Sequence, residues 1–441
     1  MTVTNADVKG EVPAVAKDAY ERVKYWMRRD TEWRRECINL IASESVVSPA
    51  VRAALCSDFE GRYAEGRPAK RYYQGTWMFD EIEIIGQELF KRLFECDYAD
   101  LTPVSGVIAN LASLMGLTEY GNTIMSLSLQ NGAHISQTHI SAAGVLGLKS
   151  VYLPFSVEEM NIDTEAAKRD IIKTKPKLVI VAGSVYLFPH PVAELKEACD
   201  KVGAKMMYDG AHVAGLIAGK AFPNPIKEGC DVVTFSTHKS FPGPQGGAIL
   251  YRDSLDEKTR KKLKEATFPR LMSSHHLHHV VGKAIAAAEM IEYGEAYAKQ
   301  TVKNAKTLAA ALYGEGIEVL GKKNGFTRSH QVLLDVRNNG GGRAIAEDLE
   351  RANVITSKQM LPWDTDVDNP SGIRMGTQEL TRLGMNEKEM DKVAQLITRV
   401  AVKKEDPEQV KLDVVALKRK FNRVGYCFEP GEAYDYLGKF F

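Results

Sequence analysis

A chain of 441 residues with 58 Lys and Arg against 57 Asp and Glu has a formal net charge of +1, so it offers no field to draw in nucleic acid or an anionic membrane. Its 44% hydrophobic and 26% charged residues make an ordinary globular mixture, long enough for a large core and two domains of unequal size. Six cysteines, at 37, 56, 96, 199, 230 and 427, have no CxxC spacing, which argues for free thiols in a reducing compartment over a disulfide framework or a zinc site.

The N-terminal "MTVTNADVKG" lacks the apolar core of a signal peptide, and no apolar run reaches the length of a bilayer span. A cytoplasmic enzyme is the expectation. Residues 1–50 read as a polar helical arm, with apolar positions at helical spacing in "DAYERVKYWMRRDTEWRRE". From about 80 to 300, helical patterns alternate with short apolar runs. "TPVSGVIANLASLMGL" is a small polar turn opening a helix, "PKLVIVAGS" a strand, "PVAELKEACDKVG" an amphipathic helix with a terminal Gly, and "AKMMYD" and "DVVTFS" two further strands. Such repetition implies right-handed crossovers and a mostly parallel sheet with helices on both faces. The predicted class is therefore α/β, with a large domain over 51–295 and a smaller α+β domain over 296–441. The long helix from "HHVVGKAIAAAEM" to "LYGEG" bridges them. "HQVLLDVRN", "RAIAEDLERANV" and "SGIRMGTQEL" build the smaller unit, and "KKEDPEQVKLDVVALKRKF" is a charged surface helix.

Ligands of open parallel sheets bind at the carboxyl ends of the strands. Two such ends carry ionisable residues thirty positions apart, Asp209 in "MMYDGAH" and Lys239 in "STHKSFPGPQGG". Lysine is a poor choice for a cramped strand end followed by a proline–glycine turn, because its charge wants water. The pair is either an ion pair or a site. Pyridoxal phosphate needs a lysine amine, an acid for its ring nitrogen, a phosphate cradle and something flat against the ring. Lys239 and Asp209 supply the first two. Ser105 and Gly106 open a helix whose free N–H groups and dipole suit a phosphate, although a plain N-cap reads the same way. His134 in "QNGAHIS" is placed on a loop to stack on a ring, although a lone loop histidine is a weak signal.

Together, "LIASESVVSPAVR", "RYAEGRPAKRYYQG", "YDGAHVAGLIAGK", "STHKSFPGPQGG" and "SGIRMGTQELTRLGM" resemble serine hydroxymethyltransferase. The archaeal type is the nearest, through "PVSGVIAN" and "LFPHPVA", and the likeness runs in order from about residue 15 to the tail. The resemblance implies a fold-type I pyridoxal-phosphate enzyme, an obligate homodimer with active sites shared across its interface. It implies transfer of the hydroxymethyl carbon of L-serine to a reduced pterin (tetrahydrofolate or a methanopterin-type carrier), giving glycine. In that family Lys239 matches the Schiff-base lysine, with His238 packing at the cofactor, and Asp209 matches the partner of the pyridine nitrogen. His212 is implied near the ring oxygen, His134 as the stacking histidine, Ser184 as a hydrogen bond near the cofactor, and Ser105 and Gly106 as the phosphate turn. Arg374 matches the grip on the substrate carboxylate, with Ser43 beside it. Tyr63 and an acid–base Glu65 match residues at the reacting carbon, and Tyr73 one that reaches in from the partner subunit.

Some positions depart from the family pattern. Gln245 replaces an arginine in "GPQGG", Ser273 and Ser274 stand for a glycine pair, and a family "NKN" reads "SKQ" at Ser357 to Gln359. The last change leaves the one-carbon carrier open. In "LMSSHHLHH", His275 and His279 fall at i, i+4, but no carboxylate or cysteine accompanies them at ligand spacing. No metal is expected, and the histidines read as packing near a subunit interface. The alternative activity is a pterin-independent threonine-type aldolase or transaldolase on the same scaffold. A non-catalytic binding protein is a third reading, against which Lys239, Asp209, His134 and Arg374 all argue.

Overall fold

The computed structural model describes residues 16–435. The "MTVTNADVKG" stretch, read above as lacking a signal-peptide core, lies outside the described residues.

A seven-stranded sheet runs in the order Tyr98–Asp100, Gly247–Tyr251, Val232–Ser236, Lys205–Asp209, Leu178–Ala182, Thr123–Ser126, Lys149–Tyr152. The last five are mutually parallel, while Gly247–Tyr251 runs antiparallel to both its neighbours. Leu178–Ala182 and Val232–Ser236 are buried along their whole length, which is why the first reads as an unbroken apolar run and the second as mostly apolar. Their side chains alternate between two cores. Val179 and Val181 enter one with Met206, Tyr208 and Phe235, while Leu178 and Ile180 enter the other with Met207, Val232 and Ile249. Helix Val192–Val202 stops at Gly203, whose φ of +70° is left-handed backbone that glycine takes without strain.

Helix Leu277–Gly314 ties this sheet to a second core. Leu277, Val280, Ala287 and Met290 pack under the large sheet, and Ala305, Leu308 and Leu312 pack with the smaller unit. That unit is a four-stranded antiparallel sheet in the order Glu318–Val319, Gln331–Asp335, Gly372–Gly376, Ser357–Gln359. Helix Glu387–Ala401 covers it, opened by a capping box between Asn386 and Glu389.

The arm differs from its sequence reading. Helix Ala16–Glu36 ends where the chain becomes continuously buried, through "CINL". Ile38–Asn39 then pairs in parallel with Val354–Ile355, and Ile38 and Leu40 are buried in the second core. Burying that run stabilises more than continuing an exposed helix would. Among the described residues no helix is long and apolar enough to cross a membrane.

Candidate active site

The turn after Val232–Ser236 folds back on its own strand. The Thr237 N–H donates to the Gly246 carbonyl at 3.0 Å, the Gly243 N–H to the Thr237 carbonyl at 2.9 Å, and the Thr237 hydroxyl to the Pro244 carbonyl at 2.7 Å. Gly246 sits at φ +153°, and a Cβ there would run into the Lys283 side chain. This closure holds Lys239 at the rim with its Nζ 3.3 Å from His212 Nε2. Burial draws the Lys239 amine down to about 8, with Asp209 pulling it up and Arg374 pushing it down.

Asp209 ends its strand between Ala182 and Thr234 of the neighbouring strands. One of its carboxylate oxygens accepts from the Asn110 amide at 2.9 Å and the Gln137 amide at 3.3 Å, and the other from the Ala211 N–H at 3.2 Å. The Tyr186 hydroxyl donates to its backbone carbonyl. Asn110 is itself fixed, because its carbonyl accepts from the Thr234 hydroxyl at 2.6 Å while its amide also reaches Ser136 Oγ at 2.8 Å. Ser136 in turn faces His134 Nδ1 with its hydroxyl at 2.8 Å and its N–H at 3.2 Å. A backbone N–H can only donate, so His134 Nδ1 is an acceptor and the ring carries its proton on Nε2. Burial keeps the His134 ring below the usual histidine range against the pull of Asp209. Ala182, at φ +77°, is a strained non-glycine residue whose carbonyl receives the Gln137 amide at 3.0 Å.

Arg374 lies in strand Gly372–Gly376, which pairs with Gln331–Asp335. Its Nη1 donates to the Ser184 carbonyl at 3.0 Å, and its buried Nε has no partner among the described residues. Burial pulls the guanidinium down to about 10, and no acid opposes that effect. Ser184 meets the site through this carbonyl, which also accepts from the Gln331 amide at 3.0 Å. His212 is buried and lies parallel to His330, with ring centroids 5.7 Å apart.

Ser105 caps helix Gly106–Leu117, its hydroxyl accepting from the Ile108 N–H at 3.2 Å. A Cβ on Gly106 would press on Ser236 at 3.0 Å, so a larger residue in the turn would have to push the strand end back. Ser236 Oγ and His238 Nδ1 are buried there without hydrogen-bond partners among the described residues. Below them Lys283 Nζ gives its N–H groups to the carbonyls of Leu101 at 2.7 Å, Pro103 at 3.2 Å and Gly247 at 3.1 Å. Sequence reasoning passes over Lys283, although a lysine inside the apolar helix "HHVVGKAIAAAEM" was the available signal.

The family model for serine hydroxymethyltransferase matches residues 16–397. The serine hydroxymethyltransferase of Methanopyrus kandleri is 52% identical over 403 residues, covering 91% of this chain and 93% of its own length. That of Pyrococcus horikoshii is 50% identical over 416 residues (93% and 97%), and that of Methanocaldococcus jannaschii 50% over 412 (92% and 95%). The chain belongs to the serine hydroxymethyltransferase family. Among solved structures, L-threonine transaldolase from Pseudomonas fluorescens in its internal-aldimine state superposes with a TM-score of 0.85 at 26% identity, covering 93% of this chain and 94% of that one. Family and fold together give a fold-type I enzyme that uses pyridoxal phosphate.

The single chain does not bring every family position to the lysine. Tyr63 and Tyr73 are 55% and 46% exposed, and their rings lie 5.5 Å apart on either side of the hairpin Gly66–Arg67/Lys70–Arg71. No hydrogen bond or ring contact joins Tyr63, Glu65 or Tyr73 to Lys239, Asp209 or Arg374 among the described residues. Buried Arg71 pins the hairpin outward, onto Asp80 at 2.7 Å and Glu83 at 2.5 Å of helix Trp77–Phe94. Ser43 is half-buried in the segment that follows Ile38–Asn39. Of the departures, Gln245 is exposed and its carbonyl meets His279 Nδ1 at 2.6 Å, Ser273 is exposed and Ser274 half-buried. Gln359 lies in the strand paired with Gly372–Arg374. The His276, His278 and His279 rings pack on one another. His275 is buried beside Phe79.

Proposed function

We propose that the protein moves the hydroxymethyl carbon of L-serine to a reduced pterin, tetrahydrofolate or a methanopterin-type carrier, and releases glycine. Arg374 carries this reading. A desolvated guanidinium with no acid beside it among the described residues and an orphaned Nε calls for an anion, and an amino-acid carboxylate fits its planar fork. A two-point grip also fixes the torsion about the substrate Cα, which selects the bond that breaks.

The remaining residues fit pyridoxal phosphate, which when bound supplies a conjugated ring that takes up the electrons of a breaking Cα bond. Lys239 offers its amine, and Asp209, fed only by N–H donors, offers acceptor lone pairs to a ring nitrogen. His134 supports the ring face, and His212 donates at its edge. Ser105, Gly106 and the unpartnered Ser236 and His238 line the phosphate end. We further propose that Tyr63, Glu65 and Tyr73 reach the lysine of a second copy, where Glu65 moves the proton on the serine hydroxyl or carrier. Exposed Tyr72, Trp77, Met78 and Ile85 around the same hairpin give that homodimer an apolar surface to bury. Residues 51–295 then form the cofactor domain and 296–441 the smaller domain, after an arm over 1–50, in a cytoplasmic enzyme.

Serine turnover measured with each purified pterin tests the function. Glycine formation that depends on one of them is the expected result. Serine cleavage that ignores added pterin would favour the aldolase reading, toward which the transaldolase likeness points. Lys283 gives a separate prediction. Lys283→Met should weaken pyridoxal phosphate binding about tenfold, roughly 1.4 kcal/mol, because the segment leading to Ser105 loses its anchor. Equilibrium dialysis reads this, and unchanged affinity would show that the turn holds itself.

A further inference from the structure

Gln331 opens strand Gln331–Asp335 and is fully buried. Its side-chain oxygen accepts from the Tyr186 N–H at 2.8 Å, and its Nε2 donates to the Ser184 carbonyl at 3.0 Å. A backbone N–H can only donate and a carbonyl can only accept, so these two partners fix which end of the amide is nitrogen. The same Nε2 lies 3.0 Å from His212 Nδ1 and has one N–H left to give. His212 Nδ1 is therefore an acceptor. The ring's single proton sits on Nε2, which faces Lys239 Nζ at 3.3 Å.

We propose that Gln331 is a positioning residue that locks His212 as its Nε2–H tautomer, so that the imidazole presents a donor to the amine of Lys239. An ammonium has no lone pair to accept that hydrogen bond, whereas a neutral amine does. The lock therefore favours the neutral, nucleophilic form of Lys239. The other groups facing His212 allow it. Lys239, Arg374, His330 and His134 act on the ring, none of them acidic, and burial with these neighbours keeps it uncharged. A glutamine at this place does what a carboxylate could not, since an acid would draw the proton to Nδ1 and turn an acceptor toward Lys239.

The proposal rests on Lys239 as the cofactor lysine, but its first test does not involve the cofactor. Nitrogen-15 NMR of the histidine-labelled, cofactor-free protein, with His212 assigned by loss of its signals in His212→Asn, should show a protonated Nε2 and an unprotonated Nδ1. A protonated Nδ1 in the wild type overturns it. In Gln331→Glu the proton should move to Nδ1. The pH midpoint for attachment of pyridoxal phosphate should then rise, slowing attachment at pH 7 at least about tenfold while the rate at high pH is kept. Gln331→Met should fall between the two. An unchanged tautomer and midpoint in Gln331→Glu, with only a lower melting temperature, would reduce Gln331 to a structural tie between the two units.

Discussion

Replacing Lys239 with alanine is expected to abolish covalent attachment of pyridoxal phosphate while leaving the fold in place. The wild-type protein, reduced with borohydride and digested, should carry the pyridoxyl label on Lys239, and Lys239→Ala should carry none. A label on another lysine would remove the assignment. The fold should survive because, among the described residues, no carboxylate forms an ion pair with the amine, whose side-chain hydrogen-bond partner is His212 at 3.3 Å. The wild type should also show a characteristic pH dependence. Burial sets the amine near 8 in place of 10.5. Below that pH the amine is protonated and cannot attack, and above it the amine is neutral. Attachment should therefore speed up about tenfold per pH unit and level off above about pH 8. At pH 7 about a tenth of the amine is then neutral, against roughly one part in three thousand at its ordinary value. A plateau reached only above pH 10 would show that the site does not tune its lysine.

The route from sequence to this site was uneven, for physical reasons. Asp209, Lys239 and the Ser105–Gly106 turn stand out in the sequence because each lies where an apolar run meets a polar or glycine-rich turn, a local signal. The residues that orient them were not readable. Asn110 meets Asp209 across 99 positions, Gln331 meets His212 across 119 and Lys283 meets Leu101 across 182, distances that no periodicity encodes. The sheet was legible as mostly parallel from its strand–helix repetition. The antiparallel Gly247–Tyr251 was less so, because its direction is set by the turn folding back on Thr237 and not by its own apolar pattern. Residues 37–40 read as part of a helical arm because two paired positions, Ile38 and Asn39, are too few for a strand period to show. Tyr63, Glu65 and Tyr73 entered through family likeness, and a single chain leaves them on an outward hairpin.

The substitution that best separates function from architecture is Arg374→Met. The Arg374 guanidinium is drawn away from water with no counter-charge among the described residues, so in the substrate-free protein it is a cost carried by the fold. Methionine fills much of the same volume and removes that cost. The one hydrogen bond lost is to the Ser184 carbonyl, which keeps its Gln331 donor at 3.0 Å. The melting temperature of the cofactor-free protein should therefore hold or rise. Catalysis should behave in the opposite way. Loss of a charge-assisted, two-point hold on the substrate carboxylate removes both affinity and the torsional control of Cα, and kcat/KM for serine should fall about 10²–10³-fold. Arg374→Lys keeps the charge but not the fork, so it should recover part of KM and little of kcat. Attachment of pyridoxal phosphate to Lys239 should persist in both variants, because their defect lies in the amino acid's site. A large loss of thermal stability with kcat/KM nearly unchanged would mean that Arg374 is a structural tie between strand Gly372–Gly376 and the Ser184 loop. A stable protein that has lost its grip on serine is what an anion site left open by the fold requires.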